Sequence, residues 1–320
     1  MPRPTSGTTL QRPDLASIAF EYMVEASQRG FIGLSLLPIF SVSEQSADYP
    51  VIPIEALIKL KDTARAPRGA YNRSDYEFET GTYACKEHGW EEPVDDSEAS
   101  LYRRYFDAEV VATMRSVDII LRAQEQRIAS MLYNTSNLAY TNIATEWSTA
   151  STATPRLNVM AGKASMAAAS GLKPNAIGMS EKVFNNLLLT AEITSAFRYT
   201  NPIEIGGFEA QKRIMAQYFG VDEILVGNAI KDSAKKGASK SIADIWDDEY
   251  VLLAKVARTM DLRDPSLGRT FLWENDSPDN TVVEEYREEE RRSNIYRVRQ
   301  NTDECFVFAG AGYLLGNITA

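Results

Sequence analysis

Residues 97–133 read SEASLYRRYFDAEVVATMRSVDIILRAQEQRIASMLY and contain neither proline nor glycine. Apolar side chains recur at the spacing that lines one face of a helix. These are Val110, Met114, Val117, Leu121, Ile128 and Leu132. Asp118 and Arg122 lie on the opposite face, at the spacing of a favourable ion pair. The stretch predicts one helix over 97–133, about 55 Å long. A compact domain needs no helix of that length to cover one core, so we expect it to brace something extended. An ordinary long helix of an α/β enzyme is the alternative.

The composition limits the class of protein. The 320 residues are 44% hydrophobic, which suffices for a sizeable core and suggests about two domains. The two cysteines, Cys85 and Cys305, are too few for a disulfide framework and suit a reducing compartment. The chain opens without an apolar run, and no segment is apolar enough to span a membrane. The net charge of -10 argues against a protein whose main task is to bind nucleic-acid phosphates.

The first 90 residues predict an arm followed by a projecting hairpin. Residues 1–30 form a proline-containing N-terminal arm with a short amphipathic helix at its end, and 31–47 contribute strands. Residues 48–90 hold two β-prone runs around a polar tip rich in turn-forming residues. Little in that tip could build a core, so we expect the hairpin to project from the subunit.

Opposite charges on the predicted hairpin suggest how like subunits pair. The tip is basic, whereas the returning run and the residues after it are acidic. We therefore predict these side chains as contacts between subunits: Arg65, Arg68, Arg73, Asp75, Glu77, Glu79, Glu91, Glu92, Asp95 and Asp96. A solvated charged face is the alternative interpretation of such a run.

The rest of the chain divides into three parts. Residues 91–150 carry the long helix and end in a Ser/Thr/Asn-rich connection. Strand and helix patterns alternate over 151–270, which predicts an α/β layer, and Ser180 is placed to cap a helix that begins at Glu181. Residues 271–320 are rich in strand patterns, and the family resemblance described below implies that they return to both preceding parts.

The motifs of catalysis are missing from the sequence. The single histidine, His88, falls in the predicted hairpin region, where we expect a surface residue rather than a general base. No nucleophile elbow, Walker loop or dinucleotide fingerprint is present. Two distant cysteines and one histidine cannot close a zinc site unless carboxylates help. We therefore predict no catalytic, cofactor-binding or metal site, although acids distant in sequence could still meet in space.

The order of elements resembles the major capsid protein of tailed bacteriophages, the Hong Kong 97-like fold. An arm, a long projecting loop and a long helix come first, and an α/β part and a β-rich return follow. Within the α/β part, Gly220–Gly227 resembles the helix-turn-strand step of that family. The resemblance covers residues 14–320. It implies an α+β fold in which the long helix lies in a peripheral domain, 151–270 form an axial domain, and the hairpin is the extended loop over a neighbouring subunit.

The resemblance also implies a function. Copies of the chain would form pentamers and hexamers that close into an icosahedral shell around packaged double-stranded DNA, bound without sequence specificity. Separate scaffolding, portal and decoration proteins would be partners, and no membrane would be involved. The protein would reside in the virion capsid after assembly in the host cytoplasm. Two alternatives remain: an encapsulin-like compartment around a cargo enzyme, and an α/β enzyme that uses carboxylates or a metal.

Overall fold

A computed structural model describes residues 9–25, 30–51, 53–54, 58–65, 67–73, 79–197, 207–235 and 237–319. Its α-helices are α1 (Pro13–Val24), α2 (Gly33–Leu36), α3 (Asp96–Tyr102), α4 (Ala108–Leu132), α5 (Pro155–Ser170), α6 (Glu181–Leu189), α7 (Ala191–Phe197) and α8 (Phe208–Phe219). Its strands are β1 (Leu10–Gln11), β2 (Ile39–Val42), β3 (Ser46–Val51), β4 (Glu79–Ala84), β5 (Lys86–Asp95), β6 (Ala139–Asn142), β7 (Ala176–Ser180), β8 (Glu223–Gly227), β9 (Ile230–Asp232), β10 (Ile242–Asp244), β11 (Val251–Ala254), β12 (Gly268–Trp273), β13 (Val282–Glu288), β14 (Ser293–Phe306) and β15 (Gly312–Gly316).

The prediction of one helix over 97–133 is wrong at residues 103–107, where the chain breaks into α3 and α4. Each helix has its own aspartate cap. The Asp95 side chain accepts a hydrogen bond from the Ser97 amide at 2.8 Å, and Asp107 accepts one from the Glu109 amide at 3.0 Å. Aspartate at such a position satisfies an amide that has no partner within the helix. The remaining long helix, α4, has 25 residues and spans about 37 Å.

The larger sheet has six strands in the order β1-β13-β14-β12-β2, and β5 also pairs with β14. Strand β14 is 14 residues long. It pairs with β13 and then β12 along one edge and with β5 along the other. The parallel pair is β12 with β2, and the other pairs of this sheet are antiparallel. Helices α1 and α4 cover one face.

The hairpin predicted over 48–90 is shorter in the structure. Its paired strands are β3 and β4, in which Ser46 lies opposite Ala84 and Val51 lies opposite Glu79. Residues 86–95 form β5 of the larger sheet instead of a returning hairpin arm. His88 is therefore not in a projecting region, but is half-buried opposite Gln300. An alternating pattern predicts a strand but does not name its partner, and this partner lies some 200 residues away.

The apolar spacing of α4 predicts that Val117 and Leu121 share a buried face, and the structure confirms this. Val117 and Leu121 are 1% and 4% exposed. They pack in a cluster with Val283, Tyr296 and Val298 of β13 and β14, together with residues of α1. The Asp118–Arg122 pair also forms, at 2.9 Å.

The second sheet has five strands in the order β6-β15-β11-β7-β8. Strand β7 and helices α5, α6 and α8 agree with the sequence pattern to within a residue or two at each end. The Ser180 hydroxyl caps α6 as predicted, by accepting a hydrogen bond from the Val183 amide. Glycine at 312 in β15 allows close packing, because a Cβ atom there would lie 2.7 Å from Leu267 Cδ1.

Helix α4 belongs to two hydrophobic cores. Its Val117–Leu121 part packs on the six-stranded sheet, whereas Ile128 and Leu132, both fully buried, pack into the core of the five-stranded sheet. The helix therefore ties the two sheets together. Within the described residues, no helix combines the length and apolar character needed to cross a bilayer.

Candidate assembly surfaces

Glu125 lies on α4 where the two cores meet. Its side chain is 3% exposed. One carboxylate oxygen accepts hydrogen bonds from the Ile32 amide at 2.7 Å and from the Trp246 indole Nε1 at 2.7 Å. The other accepts the Gly33 amide at 2.9 Å. These bonds tie α4 to the start of α2 and to the segment before β11, so Glu125 joins three parts of the chain that are distant in sequence.

Burial raises the pKa of Glu125 from its ordinary value of 4.5 to about 7, and the three donated hydrogen bonds oppose that rise. A carboxyl with a raised folded-state pKa stabilises the fold most below its unfolded-state pKa, and this contribution is lost as pH rises through the folded-state pKa. We therefore expect the stability that Glu125 contributes to fall between pH 4.5 and pH 7.

A comparison of the wild type with Glu125→Gln measures this effect, because glutamine does not titrate and other groups cancel between the two proteins. We expect the wild type to lose roughly 3 kcal/mol relative to the variant between pH 4.5 and pH 8. Urea unfolding of the unassembled subunit gives the difference in unfolding free energy between the wild type and the variant at each of the two pH values. If this difference is the same at the two pH values, or if the wild type gains stability relative to the variant as pH rises, the raised pKa is contradicted.

A charged network crosses the face of the six-stranded sheet that carries Arg297. Arg297 contacts Glu91 at 2.6 Å and Glu284 at 3.2 Å. Arg299 continues the chain of contacts to Glu284 at 3.1 Å and to Asp276. Three members of the network border an open cavity of about 680 Å³, whose lining is Glu87, Gly89, Trp90, Glu91, Arg297 and Arg299.

The other predicted acids after the hairpin also have partners within the chain. Glu92 lies 2.6 Å from Arg115, and both Asp96 oxygens accept from Arg287 at 2.6 and 2.8 Å. The Arg287 guanidinium lowers the pKa of Asp96. Asp95 caps α3. The bases that pair with Glu91 and Asp96 come from β13 and β14, and no local signal in the sequence reveals that pairing. Their contact with a neighbouring subunit stays a prediction.

The predicted basic residues lie on an exposed projection, residues 58–73, of which 58–65 and 67–73 are described. Arg65 donates to the Gly69 carbonyl at 2.7 Å and covers the ring of Tyr71 at 4.7 Å. Arg68 and Arg73 are exposed and contact no acid in the described part of the chain. Leu60, at 98% exposure, lies on the same projection. These side chains contribute nothing to the core of their own subunit.

The remaining candidate acids are Asp75, Glu77 and Glu79. Asp75 and Glu77 lie outside the described residues. Glu79 is exposed at the start of β4 and, in the described part of the chain, has no charged partner. Glu87, which lines the open cavity, is also exposed and has no charged partner among the described residues. Glu87 was not among the predicted contacts, although the acidic tract of the sequence includes it.

The reactive residue types are poorly placed for chemistry. Both cysteines are free. Burial raises the pKa of Cys85 to about 11 and raises the pKa of Cys305 too, which keeps both thiols protonated. Burial lowers the pKa of His88. The described ranges contain no group of three or more His, Cys, Asp or Glu side chains arranged to hold a metal ion.

Comparison with solved structures finds the same fold over nearly the whole chain. A phage-related protein from Bordetella bronchiseptica is 19% identical with a TM-score of 0.70, over 97% of this chain and 98% of that one. The virus-like particle of Pyrococcus furiosus matches at 11% identity and a TM-score of 0.57, over 97% and 100%. The capsid of the cyanophage P-SCSP1u matches at 10% identity and a TM-score of 0.55, over 88% and 86%.

No family model matches the chain, and no curated protein matches it in sequence. The structural matches nevertheless cover 88–97% of the chain. The chain therefore has the α+β, Hong Kong 97-like capsid fold that its sequence resembles.

Proposed function

We propose that this chain is the major capsid protein of a tailed bacteriophage, whose copies form pentamers and hexamers that close into an icosahedral shell around double-stranded DNA. The observation that carries the proposal is the match in fold over 97% of the chain to a phage-related protein. A projection that serves no core of its own subunit supports it, because such a segment has a use only against another molecule. The role is structural rather than catalytic.

The parts of the chain take the following roles in the proposal. The six-stranded sheet with α4 is the peripheral domain, and residues 1–30 are the arm, whose β1 and α1 pack on that domain. The five-stranded sheet with α5 to α8 is the axial domain. The projection between β3 and β4 is the extended loop. The net charge of -10 keeps the shell from binding the enclosed DNA tightly or by sequence. Separate scaffolding, portal and decoration proteins complete the particle in the host cytoplasm.

In this arrangement the basic projection of one subunit contacts acids of the next. Arg68 and Arg73 are available to a neighbour, and Glu79 and Glu87 are two exposed acids that have no charged partner in the described residues. The open cavity beside Glu87 and Glu91 is large enough for several side chains of a neighbouring projection. Exposed ion pairs are each worth under about 1 kcal/mol, so the contact depends on repetition by symmetry.

Expression of the chain, alone and with the genes that flank its own, tests the proposal. We expect closed shells in sedimentation profiles and electron micrographs. Particles from the native source should contain DNA rather than a cargo enzyme, which separates the phage shell from an encapsulin-like compartment. A soluble monomer with enzymatic activity and no large particles in either expression would overturn the proposal.

A further inference from the structure

Helix α5 is apolar on both of its faces. Its inward face packs Val159 and Met166, each 1% exposed, on the five-stranded sheet. Its outward face carries Leu157, 65% exposed, and Met160, 57% exposed, and continues along three exposed alanines. These are Ala161, Ala164 and Ala168. A helix that covers the core of a monomer normally has a polar outward face, and one that is apolar all round is buried.

The charged side chains of α5 point away from this outward face. Lys163 donates to the carbonyls of Phe219 and Gly220 at 2.6 and 2.8 Å, at the end of α8. The Arg156 guanidinium lies over the ring of Tyr218, 5.2 Å from its centre. Both charges are thus held against α8, and the outward face of α5 is left uncharged.

Strand β6 extends the uncharged surface to the edge of the five-stranded sheet. All four of its residues are exposed, and Tyr140 is 50% exposed. The strand pairs with β15 on one side and, among the residues that the structure describes, has no partner strand on the other. Free edges of monomeric proteins are usually protected by lysine, proline or a bulge. Residues 134–155, which include β6, carry a single charge, Glu146.

A groove of about 160 Å³ separates α5 from β6 and β15. Its walls include Ile143, Ala161, Tyr313 and Leu315. A cavity of this size and character holds one bulky apolar group. The outward face of α5, β6 and this groove together form the α5–β6 face.

A second copy of this chain is the occupant that the charges favour. Each copy has a net charge of -10, so an uncharged face lets two copies meet over a broad area without adding to their mutual repulsion. Burying charged groups in a contact also costs desolvation, whereas interfaces between identical subunits have apolar centres. The α5–β6 face combines exposed large apolar side chains, a free strand edge and a groove without an ionised group.

We propose that the α5–β6 face is the contact through which one copy joins the next within a capsomer. The proposal rests on the shell function and adds the surface of the axial domain that makes the ring. The partner supplies an apolar side chain to the groove and covers Leu157 and Met160.

Charge placed on this face tests the proposal. We expect Met160→Lys and Ala164→Lys, expressed as full chains, to give shell yields at least about ten-fold below wild type. Their circular dichroism and urea midpoints should match wild type, because both side chains are exposed. Asn185→Lys adds the same charge at an exposed position of α6 and should assemble normally. Wild-type yields of shells from both lysine variants would overturn the proposal.

If the lysine variants misfold, a photo-crosslinking residue in place of Leu157 tests the proposal instead. In assembled shells it should link two copies of the chain, and shells without that link, or with a link to a different protein only, would overturn the proposal. If the wild type forms no shells, sedimentation tests the contact through the α5–β6 face separately from the shell function. Small oligomers that Met160→Lys dissociates would support this face while the shell function fails. A wild type that stays monomeric would overturn both.

Discussion

Replacing residues 61–73 with a short Gly/Ser turn is expected to leave a folded subunit that forms no closed shells. The described residues of this segment are exposed and pack into none of the three apolar clusters, so their removal leaves the core intact. The segment carries four bases and one acid, and a two-stranded ribbon has little stability of its own. Its contacts with a neighbour are lost at every position of the shell at once.

Far-ultraviolet circular dichroism should stay close to wild type while shells vanish from sedimentation profiles and micrographs. Two charge variants separate the role of the bases from that of the loop itself. Changing Arg65, Arg68 and Arg73 to lysine keeps the charge and should retain most assembly, whereas changing all three to glutamine should weaken it. Normal shells from the shortened chain would make the projection dispensable, and a chain that fails to fold would place it in the core.

Truncating Leu121 to alanine is expected to cost roughly 2–5 kcal/mol of unfolding free energy. Leu121 is 4% exposed and belongs to the cluster formed by α1, α4, β13 and β14. Leu121 already lines a small cavity with Met23 of α1, Phe31 and Leu34, so removal of its side chain enlarges a space that the long helix cannot easily fill by moving.

Urea unfolding of the unassembled subunit measures this cost. Val111→Ala is the matched control, because Val111 lies on the same helix and is 37% exposed. We expect that change to cost under about 1 kcal/mol. Equal losses from the two substitutions, or an unchanged midpoint for Leu121→Ala, would mean that α4 presents a different face to the sheet.

Local patterns predicted most of the elements and the face of α4. The apolar spacing of Val117 and Leu121 is a property of the helix itself, and so is the capping hydroxyl of Ser180. The break at 103–107 was missed because its only signal is Asp107, an N-cap residue inside a stretch without proline or glycine. An aspartate two residues before a glutamate can also lie inside a helix, so pattern alone does not decide between the two.

The pairing of charges could not be predicted in the same way. Glu91 and Asp96 were interpreted as part of an acidic tract, whereas the structure pairs them with Arg297 and Arg287 of the last two long strands. The position of Glu125 was also missed. In the sequence Glu125 is one polar residue among others on the helix. It is buried only because Ile32 and Trp246, which are distant in sequence, pack against it and donate hydrogen bonds to it. Such contacts arise from tertiary packing, which a one-dimensional pattern does not contain.

The pairing of β5 with β14 also governs when the subunit can fold. Arg297 and Glu91 lie opposite each other although 206 residues separate them along the chain. Closing so long a loop is slow, and during synthesis β5 cannot pair with β14 until some 200 further residues have left the ribosome. Helix α4 likewise lacks its sheet until then. A nascent chain that lacks β14 has therefore not yet completed the six-stranded sheet, and the proposed assembly can begin only after β14 has been made.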